Sequence, residues 1–357
     1  MLGAVLPHNC RITLPTPIRP FPARAPARGA AGSQTDRRLG RLVRLLMDHA
    51  TVVVSGTKIA SEVGVSPSTV WHLIERLRAL GVDIAGHLGT GYSLKAMPDL
   101  LLPEMLAPLI RGTMFSTQLH HYYNIDSTST VAMDAAKNGA PEGSVFLAEQ
   151  QMAGRGRGGN RWHSPRSTGI YCSLILRPVL PPADVLVLAL AVGLAVEAAV
   201  KELDPALSPD LKWPNDLLLG GKKFCGILTE MNAEPTRVRH VVVGIGVNVN
   251  QTTFPDDLQA SATSLRMASG TKYSRLELCA ALLKSLDREY RGLEADPHAA
   301  ILRRFAEHSS TVRGVRVRVE ENDGYLGVTD GLDSRGFLQV RTPQGLRTVL
   351  TGTVRVE

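Results

Sequence analysis

The stretch AEQQMAGRGRGGNRWHS, residues 148–164, is the most informative part of this chain. Four glycines and three arginines fall within the eight residues 154–161, between an apolar strand-like run and a tryptophan. Glycine lets a backbone bend sharply and approach a ligand closely, and arginine binds carboxylate and phosphate through a planar set of donors. Because the stretch is short, single and bordered by strand-like runs, it predicts a loop that covers a small anionic ligand rather than disordered RNA-binding sequence. We call residues 151–161 the glycine-arginine loop.

Size, charge and cysteine content limit the possible classes of protein. The chain has 357 residues, of which 44% are hydrophobic, enough for two or three domains with sizeable cores. The net charge of +7 and the pI of about 9.4 favour nucleic acids, nucleotides or acidic proteins as partners. Four cysteines lie far apart in the sequence, which argues against a zinc site or disulfide framework and predicts a reducing, cytoplasmic location.

Two segments bear on targeting and membrane insertion. Residues 1–34 hold six prolines, four arginines and no acidic residue, without the apolar core of a signal peptide. We expect residues 1–35 to be a disordered Pro/Arg-rich extension or the product of a misassigned start, with a nucleic-acid-binding arm as the alternative. The apolar run at 185–196 is shorter than the roughly 20 residues that a membrane helix needs, so it predicts a buried core helix and no membrane partner.

Residues 36–97 predict a winged helix-turn-helix domain. Ser55 can cap a short second helix that Gly64 ends. Ser66 can cap a third helix whose first residue is Pro67, where a missing N–H group costs nothing. Two helices joined by a tight glycine turn are typical of a helix-turn-helix, and the glycine-rich stretch that follows suits a hairpin wing over 82–94.

The exposed face of the third helix carries short polar and aromatic groups suited to base edges and phosphates in a major groove. This pattern predicts operator DNA as a partner, with a helical protein-interaction module as the alternative. The candidate DNA-binding residues are Ser66, Ser68, Thr69, Trp71, His72 and Arg76.

The rest of the chain predicts an α+β architecture. Residues 98–113 read as a linker with a short helix, 114–310 as a central domain and 311–357 as a small β-barrel of alternating valine and arginine. Strand-like runs follow one another with few helical crossovers, which favours a mixed sheet backed by helices over a doubly wound fold. The predicted strands cover 145–149, 170–176, 211–219, 224–231 and 241–249. The predicted helices cover 129–138, 185–203, 275–293 and 298–308.

Four further clusters carry groups suited to ligand binding: DSTS at 126–129, KWPND at 212–216, KKFCGILTE at 222–230 and GIGVNVN at 244–250. The first offers hydroxyls at a helix N-terminus, although many such stretches are only caps. A lysine entering an apolar strand, as Lys223 does, is costly unless it meets an anion. Asp216 suits a magnesium or amine contact, with a plain turn aspartate as the alternative. GIGVNVN lacks the following helix of a dinucleotide-binding fingerprint.

Taken in this order, these motifs resemble those of the biotin protein ligases. The N-terminal helix-turn-helix makes the bifunctional ligase and biotin-operon repressor type the nearer match, and the resemblance covers residues 36–357. It implies a class II synthetase-like central domain and an SH3-like C-terminal barrel. It also implies an ATP-dependent biotin–[acetyl-CoA-carboxylase] ligase, which forms biotinyl-5′-adenylate with Mg²⁺-ATP and transfers biotin to a lysine of a biotin carboxyl carrier protein.

The resemblance assigns roles residue by residue. Contacts to biotin or its adenylate fall to Ser127, Thr128, Ser129, Gln151, Gly154, Arg155, Arg157, Lys223 and Gly226. The reacting carboxyl and phosphate would meet Lys212, Asn215 and Asp216. Trp162 would pack near the adenine, and Gly244 and Asn248 would line the pocket. The expected catalytic residues are Arg155, Arg157, Lys212, Asp216 and Lys223, with no protein ligand assigned to the magnesium ion.

The chemistry of adenylate formation explains why these residue types are needed. A carboxylate and a triphosphate repel each other, and cationic side chains with magnesium offset that repulsion. A loop that becomes ordered over the adenylate would exclude water, and Asp216 is the candidate for orienting or deprotonating the incoming lysine. The sequence departs from the family pattern twice: Ser129 stands where asparagine is common, and Gly158 where an additional arginine is common.

The same ligand could control transcription. A loop ordered around the adenylate could create a homodimer surface that brings two helix-turn-helix units onto a palindrome. Three alternatives stay open: a lipoate or octanoate ligase, a DNA-binding regulator that senses biotin without ligating it, and a ligase whose DNA-binding domain is vestigial.

Overall fold

The computed structural model describes residues 34–50, 52–96, 99–295, 298–320, 324–350 and 353–357. The expectation for the N-terminal extension falls almost wholly outside these residues. The first helix begins at Gln34, two residues before the predicted start of the N-terminal domain.

The N-terminal unit is a helix-turn-helix followed by a two-stranded wing, as predicted. It comprises α1 (Gln34–Asp48), α2 (Gly56–Val63), α3 (Pro67–Ala79), β1 (Ile84–His87) and β2 (Gly91–Leu94). The expected caps are confirmed: the Ser55 Oγ accepts the Lys58 N–H at 3.2 Å, and the Ser66 Oγ accepts the Thr69 N–H at 3.3 Å. Gly64 ends α2 in the left-handed conformation, with a φ of 70°.

The central unit is a seven-stranded mixed sheet backed by helices. Its elements are β3 (Leu119–Tyr122), α5 (Thr128–Lys137), β4 (Val145–Ala148), β5 (Gly169–Leu176), α6 (Val185–Leu203), β6 (Asp210–Lys212), β7 (Asp216–Leu219), β8 (Lys222–Ala233), β9 (Val238–Asn248), α7 (Leu265–Ser269), α8 (Arg275–Ala295) and α9 (His298–Glu307). A short helix, α4 (Pro103–Leu109), precedes it within the predicted linker. The strand order is β3-β4-β5-β9-β8-β7-β6, and the β3–β4 pair is parallel. The expected mixed sheet is confirmed.

Two strand predictions need correction. The run at 211–219, expected as one strand, forms β6 and β7, which pair antiparallel so that Lys212 lies opposite Asp216. The reason is a turn at Trp213-Pro214-Asn215, where proline lacks the N–H that a continuous strand would donate. Strand β3 was missed, because its sequence LHHY has little of the apolar alternation that marks strands.

Helix α6 is the centre of the main core. The segment is long and apolar enough to cross a membrane by length and composition, but 78% of its apolar 18-residue window is buried inside the protein. It packs between the sheet and helices α8 and α9. The prediction of a buried core helix is therefore confirmed.

In the part of residues 311–357 that the structure describes, the C-terminal unit is an antiparallel five-stranded sheet with no helix, as its valine–arginine alternation indicated. It contains β10 (Arg313–Glu320), β11 (Tyr325–Leu332), β12 (Leu338–Thr342), β13 (Gly345–Val349) and β14 (Thr353–Val356), in the order β13-β12-β11-β10-β14. Closure into an SH3-like barrel stays a prediction, because the described ladders form an open row. The Trp213 Nε1 donates a hydrogen bond to the Gly336 carbonyl at 2.8 Å, which joins the KWPND turn to this unit.

Candidate active site

Most of the predicted site residues line one narrow cavity on the central sheet. The N-terminus of α5, the glycine-arginine loop and the middle of β8 and β9 form its walls. The predicted residues that line it are Thr128, Ser129, Gln151, Arg155, Arg157, Trp162, Asn215, Lys223, Gly226 and Gly244. Segments separated by more than a hundred residues in the sequence therefore contribute to the same wall.

A second, larger cavity adjoins the first and shares Gln151, Trp162 and Lys223 with it. Its volume is about 720 Å³, which lies within the usual range for small-molecule sites, about 300–1,000 Å³. The predicted residues that it adds are Gly154, Lys212, Asp216 and Asn248. Ser127 lines neither cavity.

One end of the narrow cavity carries a connected set of hydroxyl and amide groups. The Gln151 Oε1 accepts hydrogen bonds from the Thr128 N–H at 2.9 Å and from its hydroxyl at 3.1 Å. The Ser173 Oγ lies 2.8 Å from the Thr128 Oγ1 and 3.1 Å from the Ser129 Oγ. Beside them, the Ser127 Oγ is buried and has no hydrogen-bond partner among the described residues. This end suits a polar, uncharged head group.

Glycines form the floor of the narrow cavity. Gly226 on β8 lies directly opposite Gly246 on β9, and Gly244 follows one pleat away. A methyl group on Gly226 would come within 3.0 Å of the Trp162 ring, and one on Gly246 would collide with the same ring. A methyl group on Gly244 would come within 2.6 Å of the Ser129 Oγ. Glycine is needed here because other groups lie directly against the backbone.

Trp162 covers this floor. The Lys223 Nζ lies over its indole at 5.5 Å from the ring centroid, a cation–π contact. The indole Nε1 is buried and finds no acceptor among the described residues. With the ring in this place, the narrow cavity has a volume of only about 40 Å³, far below that of typical ligand pockets. Binding a bicyclic ligand there requires Trp162 or the loop to move.

The charged groups of the site are paired with one another. The Lys223 Nζ lies 2.6 Å from an Asp216 carboxylate oxygen, and an Arg155 Nη2 lies 2.5 Å from the Glu230 Oε1. Lys223 and Asp216 come from adjacent strands, which the KWPND turn and the β7–β8 hairpin bring together. An anionic ligand can therefore recruit Lys223 and Arg155 only by competing with these carboxylates.

The glycine-arginine loop is a folded hairpin. The Gly156 N–H donates to the Asn160 carbonyl at 2.7 Å, and Arg155 pairs with Arg161 across the loop. Gly158 and Gly159 at the tip have φ angles of 65° and 81°, in the left-handed region that favours glycine. Backbone hydrogen bonds within the loop therefore hold its shape, and Arg155, Arg157 and Arg161 lie on either side of the tight turn at its tip.

The sequence did not reveal one wall of the larger cavity, formed by His163 and residues 254–262. The ring centroids of His163 and Phe254 are 6.4 Å apart. Burial lowers the pKa of His163 below its usual value, and Asp257 opposes that change. No periodic or glycine signal marks residues 254–262. Gly246 was also missed as a floor residue, although its spacing from Gly244 was visible in the sequence.

The predicted DNA-binding residues lie at the start and along the exposed side of α3. Ser66, Thr69 and Arg38 line a shallow groove beside its N-terminus. Trp71 is 54% exposed, and its ring meets His72 edge to face. An exposed tryptophan on this face is consistent with a contact surface.

The part of the site that the structure describes has carboxylates but no preformed metal centre. In the ranges that the structure describes, no group of three or more His, Cys, Asp or Glu side chains could hold a metal ion. Magnesium commonly binds through substrate phosphates and one or two carboxylates. Asp216 and Asp257 both line the larger cavity, so the residues fit an ion carried in by a nucleotide.

Comparisons with known proteins match both halves of the chain. A model of the biotin/lipoate A/B protein ligase family matches residues 122–248, and a helix-turn-helix domain model matches residues 38–93. The bifunctional ligase/repressor BirA of Bacillus spizizenii is 35% identical over 322 residues, which cover 88% of this chain and 97% of that protein. The biotin–[acetyl-CoA-carboxylase] ligase of Mycobacterium tuberculosis is 36% identical over 219 residues, which cover 59% of this chain and 79% of that protein.

A solved structure gives a similar result. Biotin protein ligase from Aquifex aeolicus in complex with biotin and ATP superposes with a TM-score of 0.59 at 27% identity, covering 68% of this chain and 99% of that chain.

Proposed function

This chain belongs to the biotin protein ligases that carry a helix-turn-helix domain, and from this premise we propose how its residues bind their substrates and promote the reaction. It is a biotin–[acetyl-CoA-carboxylase] ligase. In the proposed sequence, the biotin carboxylate attacks the α-phosphorus of ATP and pyrophosphate leaves. A lysine amine of the biotin carboxyl carrier protein then attacks the acyl carbon of biotinyl-5′-adenylate, and AMP leaves.

One observation carries the assignment of the site. The DSTS, glycine-arginine, KWPND, KKFCGILTE and GIGVNVN segments, which are scattered over 125 residues of sequence from 126 to 250, line two adjoining cavities. A narrow polar-ended pocket beside a larger cationic one suits a compact head group joined to a nucleotide.

The narrow cavity is the proposed site for the biotin rings. The hydroxyls of Thr128 and Ser129 and the amide of Gln151 supply hydrogen-bonding groups for the ureido ring. Ser127 lies outside this lining, and its contact with the ligand stays a prediction. Gly226 and Gly244 leave space for a flat ligand against the strands, and Cys172 contributes an inert wall because burial raises the pKa of its thiol.

The boundary between the cavities is the proposed site of the chemistry. Arg155, Arg157, Lys212 and Lys223 would offset the charge on the carboxylate and the α-phosphate. Asn215 is held in place by donating to the Ile227 carbonyl at 2.8 Å. The magnesium ion, entering with ATP near Asp216 and Asp257, would supply further positive charge.

Asp216 has two roles in this scheme. It holds Lys223 until the substrates arrive. Once the phosphate recruits Lys223, the Asp216 carboxylate is free to accept a proton from the ammonium of the carrier lysine. The carrier amine then attacks as the neutral nucleophile that acyl transfer requires.

The larger cavity is the proposed site for the adenosine. Gly154, Trp162 and Asn248 all line it, and Asn248 is buried. Asn248 donates to the Thr263 carbonyl and accepts from Gln251, at 3.0 and 3.1 Å, which fixes its orientation. The glycine-arginine loop closes over the adenylate and keeps water from the anhydride.

The helix-turn-helix unit is proposed to make the enzyme a biotin-responsive repressor of biotin synthesis genes, acting on operator DNA as an adenylate-dependent homodimer. The support is the match to bifunctional ligase/repressors along nearly their whole length, together with the exposed α3 face. Ser66, Ser68, Thr69, Trp71, His72 and Arg76 stay the proposed contact residues.

The test of the ligase proposal is ATP-dependent transfer of biotin to purified biotin carboxyl carrier protein, detected with streptavidin after electrophoresis. We expect labelling that needs ATP, magnesium and the acceptor lysine, and we expect that lipoate does not substitute for biotin. Lipoate is tested in a parallel reaction read by the mass of the carrier protein, because streptavidin does not bind lipoate; a gain of one lipoyl group would support the lipoate ligase alternative. Biotin binding without any labelling would support a regulator that senses biotin but does not transfer it.

A further inference from the structure

A buried ion-pair network joins three distant segments of the chain. Arg275, at the start of α8, has a fully buried side chain, and Glu149 is 1% exposed. An Arg275 Nη2 lies 2.8 Å from the Glu149 Oε2, and the Arg275 Nε lies 3.1 Å from the Asp99 Oδ2. None of these three residues lines either cavity of the active site.

On one side, the network closes the base of the glycine-arginine loop. Glu149 follows β4 directly, two residues before the loop begins. The Ser167 N–H donates to the Glu149 carbonyl at 2.8 Å, and its hydroxyl donates to the Glu149 Oε2 at 3.1 Å. An Arg275 Nη1 donates to the Gly169 carbonyl at 3.1 Å, where β5 begins. The entry and exit strands of the loop are therefore tied through Glu149 and Arg275.

On the other side, the network holds the segment that leads from the DNA-binding unit. Asp99 accepts the Arg275 backbone N–H at 3.0 Å, and its own carbonyl accepts from the Arg275 guanidinium. The Leu101 N–H donates to the Glu149 Oε1 at 2.9 Å. Arg275 and Glu149 thus contact both the Asp99 side chain and the backbone of residues 99–101.

The same segment belongs to two hydrophobic cores. Leu100 and Leu102 pack in the core of the helix-turn-helix unit, whereas Leu101 packs in the core of the central unit. Successive side chains of an extended backbone point in opposite directions, so a shift of this segment would displace residues in both cores. Movement of the DNA-binding unit and movement of the loop base are therefore mechanically connected.

We propose that Arg275, Glu149 and Asp99 are positioning residues that hold the base of the glycine-arginine loop in place beside the ligand cavities, and that they make closure of the loop over the adenylate depend on the placement of the DNA-binding unit. The inference rests on the proposed function, because it assigns the loop to the adenylate. An arginine fork serves this purpose because it can bind two carboxylates and two carbonyls at once, which a lysine cannot.

The test is the rate at which preformed biotinyl-adenylate leaves the full-length protein in Asp99→Asn. This change removes a charge from the network at a partly exposed position and leaves every cavity-lining residue in place. We expect release at least about 5-fold faster than in the wild type, within the usual range of coupling between sites. The ligand-dependent gain in DNA affinity should shrink by a similar factor.

Asp287→Asn is the matched control. Asp287 lies on the same helix, accepts the Met114 N–H at 2.8 Å and pairs with Arg291 at 2.9 Å, but it contacts neither the loop base nor residues 99–101. We expect adenylate release from this variant at the wild-type rate. Equal release from Asp99→Asn and wild type, or equal acceleration in both variants, would overturn the inference.

Two further variants keep the test decisive. Ser167→Ala removes one hydrogen bond on the loop side and should speed adenylate release without changing DNA affinity in the absence of ligand. Arg275→Lys keeps the positive charge and should still release the adenylate faster; a full rescue by lysine would also overturn the inference. If the wild type forms no adenylate at all, the proposed function itself fails, and that outcome is seen before any variant is compared.

Discussion

At the scale of single residues, two cations of the site, Lys223 and Arg155, form ion pairs with carboxylates of the protein, and an anionic ligand would have to displace these carboxylates. Lys223 contacts both Asp216 and the Trp162 ring, so its ammonium group is satisfied before any substrate arrives. A paired lysine is stable at the entrance of a buried strand, where an isolated one would be costly. The sequence-based expectation that Lys223 must meet an anion is thus met within the protein by a carboxylate.

Replacing Lys223 should impair adenylate formation far more than folding. For Lys223→Gln we expect pyrophosphate release in the first step to fall by roughly 100- to 1,000-fold, the usual effect of removing one preorganised donor from a developing negative charge. The control is Lys222→Gln, because the neighbouring Lys222 is exposed and its ammonium group donates to the Gln259 carbonyl at 3.2 Å, away from the carboxylate that pairs with Lys223. A loss below 10-fold for Lys223→Gln would contradict its proposed role.

Glu149 gives the protein a specific acid sensitivity. Burial alone would raise its pKa, but the opposing effects of Arg275 and His121 are larger and lower the pKa from 4.5 to about 2. The ionised form is therefore favoured in the folded protein. The lowered pKa of Glu149 adds about 3 kcal/mol to the free energy of unfolding. This stabilisation is complete above pH 4.5 and is lost as the pH falls towards 2.

The measurement is urea unfolding of wild type and Glu149→Gln at several pH values between 6 and 2. The variant should be less stable at pH 6, because it leaves the Arg275 charge without its main partner. Its stability should also fall less steeply with acid than that of the wild type. Parallel curves for the two proteins would show that Glu149 does not titrate in this way.

At the scale of elements, the glycine-arginine loop and the β8–β9 floor define the ligand space. The loop carries the arginines and is followed directly by Trp162, and the floor carries the glycines that Trp162 contacts. Because the indole reduces the narrow cavity to about 40 Å³, binding of biotin there requires Trp162 or the loop to move, and we expect Trp162 to be displaced.

Tryptophan fluorescence can follow that displacement. We expect biotin to change the emission of the wild type, since the Trp162 ring loses its contacts with Lys223 and the strand glycines. Trp162→Phe should lose most of this response, while the buried Trp213 and the exposed Trp71 keep their emission. An undiminished response in Trp162→Phe would place the change elsewhere.

The loop tip offers a second test. Gly158→Arg should slow the dissociation of the adenylate by adding a cation at a position where the family often has one. The structure leaves room for it, since an added Cβ would meet only the Asn160 amide at 4.0 Å. The left-handed backbone of Gly158 opposes the gain by about 1 kcal/mol. An unchanged dissociation rate would contradict the hypothesis that glycine at position 158 speeds release of the adenylate.

At the scale of the whole molecule, the DNA-binding unit is packed onto the ligase rather than tethered to it. The Arg44 Nη1 donates to the Glu104 carbonyl at 3.0 Å, and Tyr123, just before the DSTS segment, packs in the core of the helix-turn-helix unit. Such contacts allow ligand binding in one unit to bias the other.

DNA affinity should consequently respond to the ligands of the ligase. On a duplex selected by binding from a random pool, we expect biotin plus ATP to raise affinity about 10-fold or more at fixed salt concentration. Fluorescence anisotropy would measure the affinity, and sedimentation would show whether a dimer forms at the same ligand concentrations. Lys223→Gln, which forms little adenylate, should show no gain. Equal binding of the wild type with and without ligands would contradict the repressor proposal.

Local signals let the sequence determine much of this protein by itself. Caps at Ser55 and Ser66, the left-handed Gly64 and the periodicity of α6 act between residues a few positions apart, so they could be read directly. The KWPND and glycine-arginine motifs likewise predicted an anionic ligand, because their residue types suit anions whatever the surrounding fold.

Only the tertiary structure decided which distant groups meet. The pairing of Asp216 with Lys223, the position of Gly246 beneath Trp162 and the joining of Asp99, Glu149 and Arg275 all depend on strand register and on packing between segments far apart in the chain. Spatial contacts of this kind arise from the folded arrangement as a whole, and no short stretch of sequence encodes them.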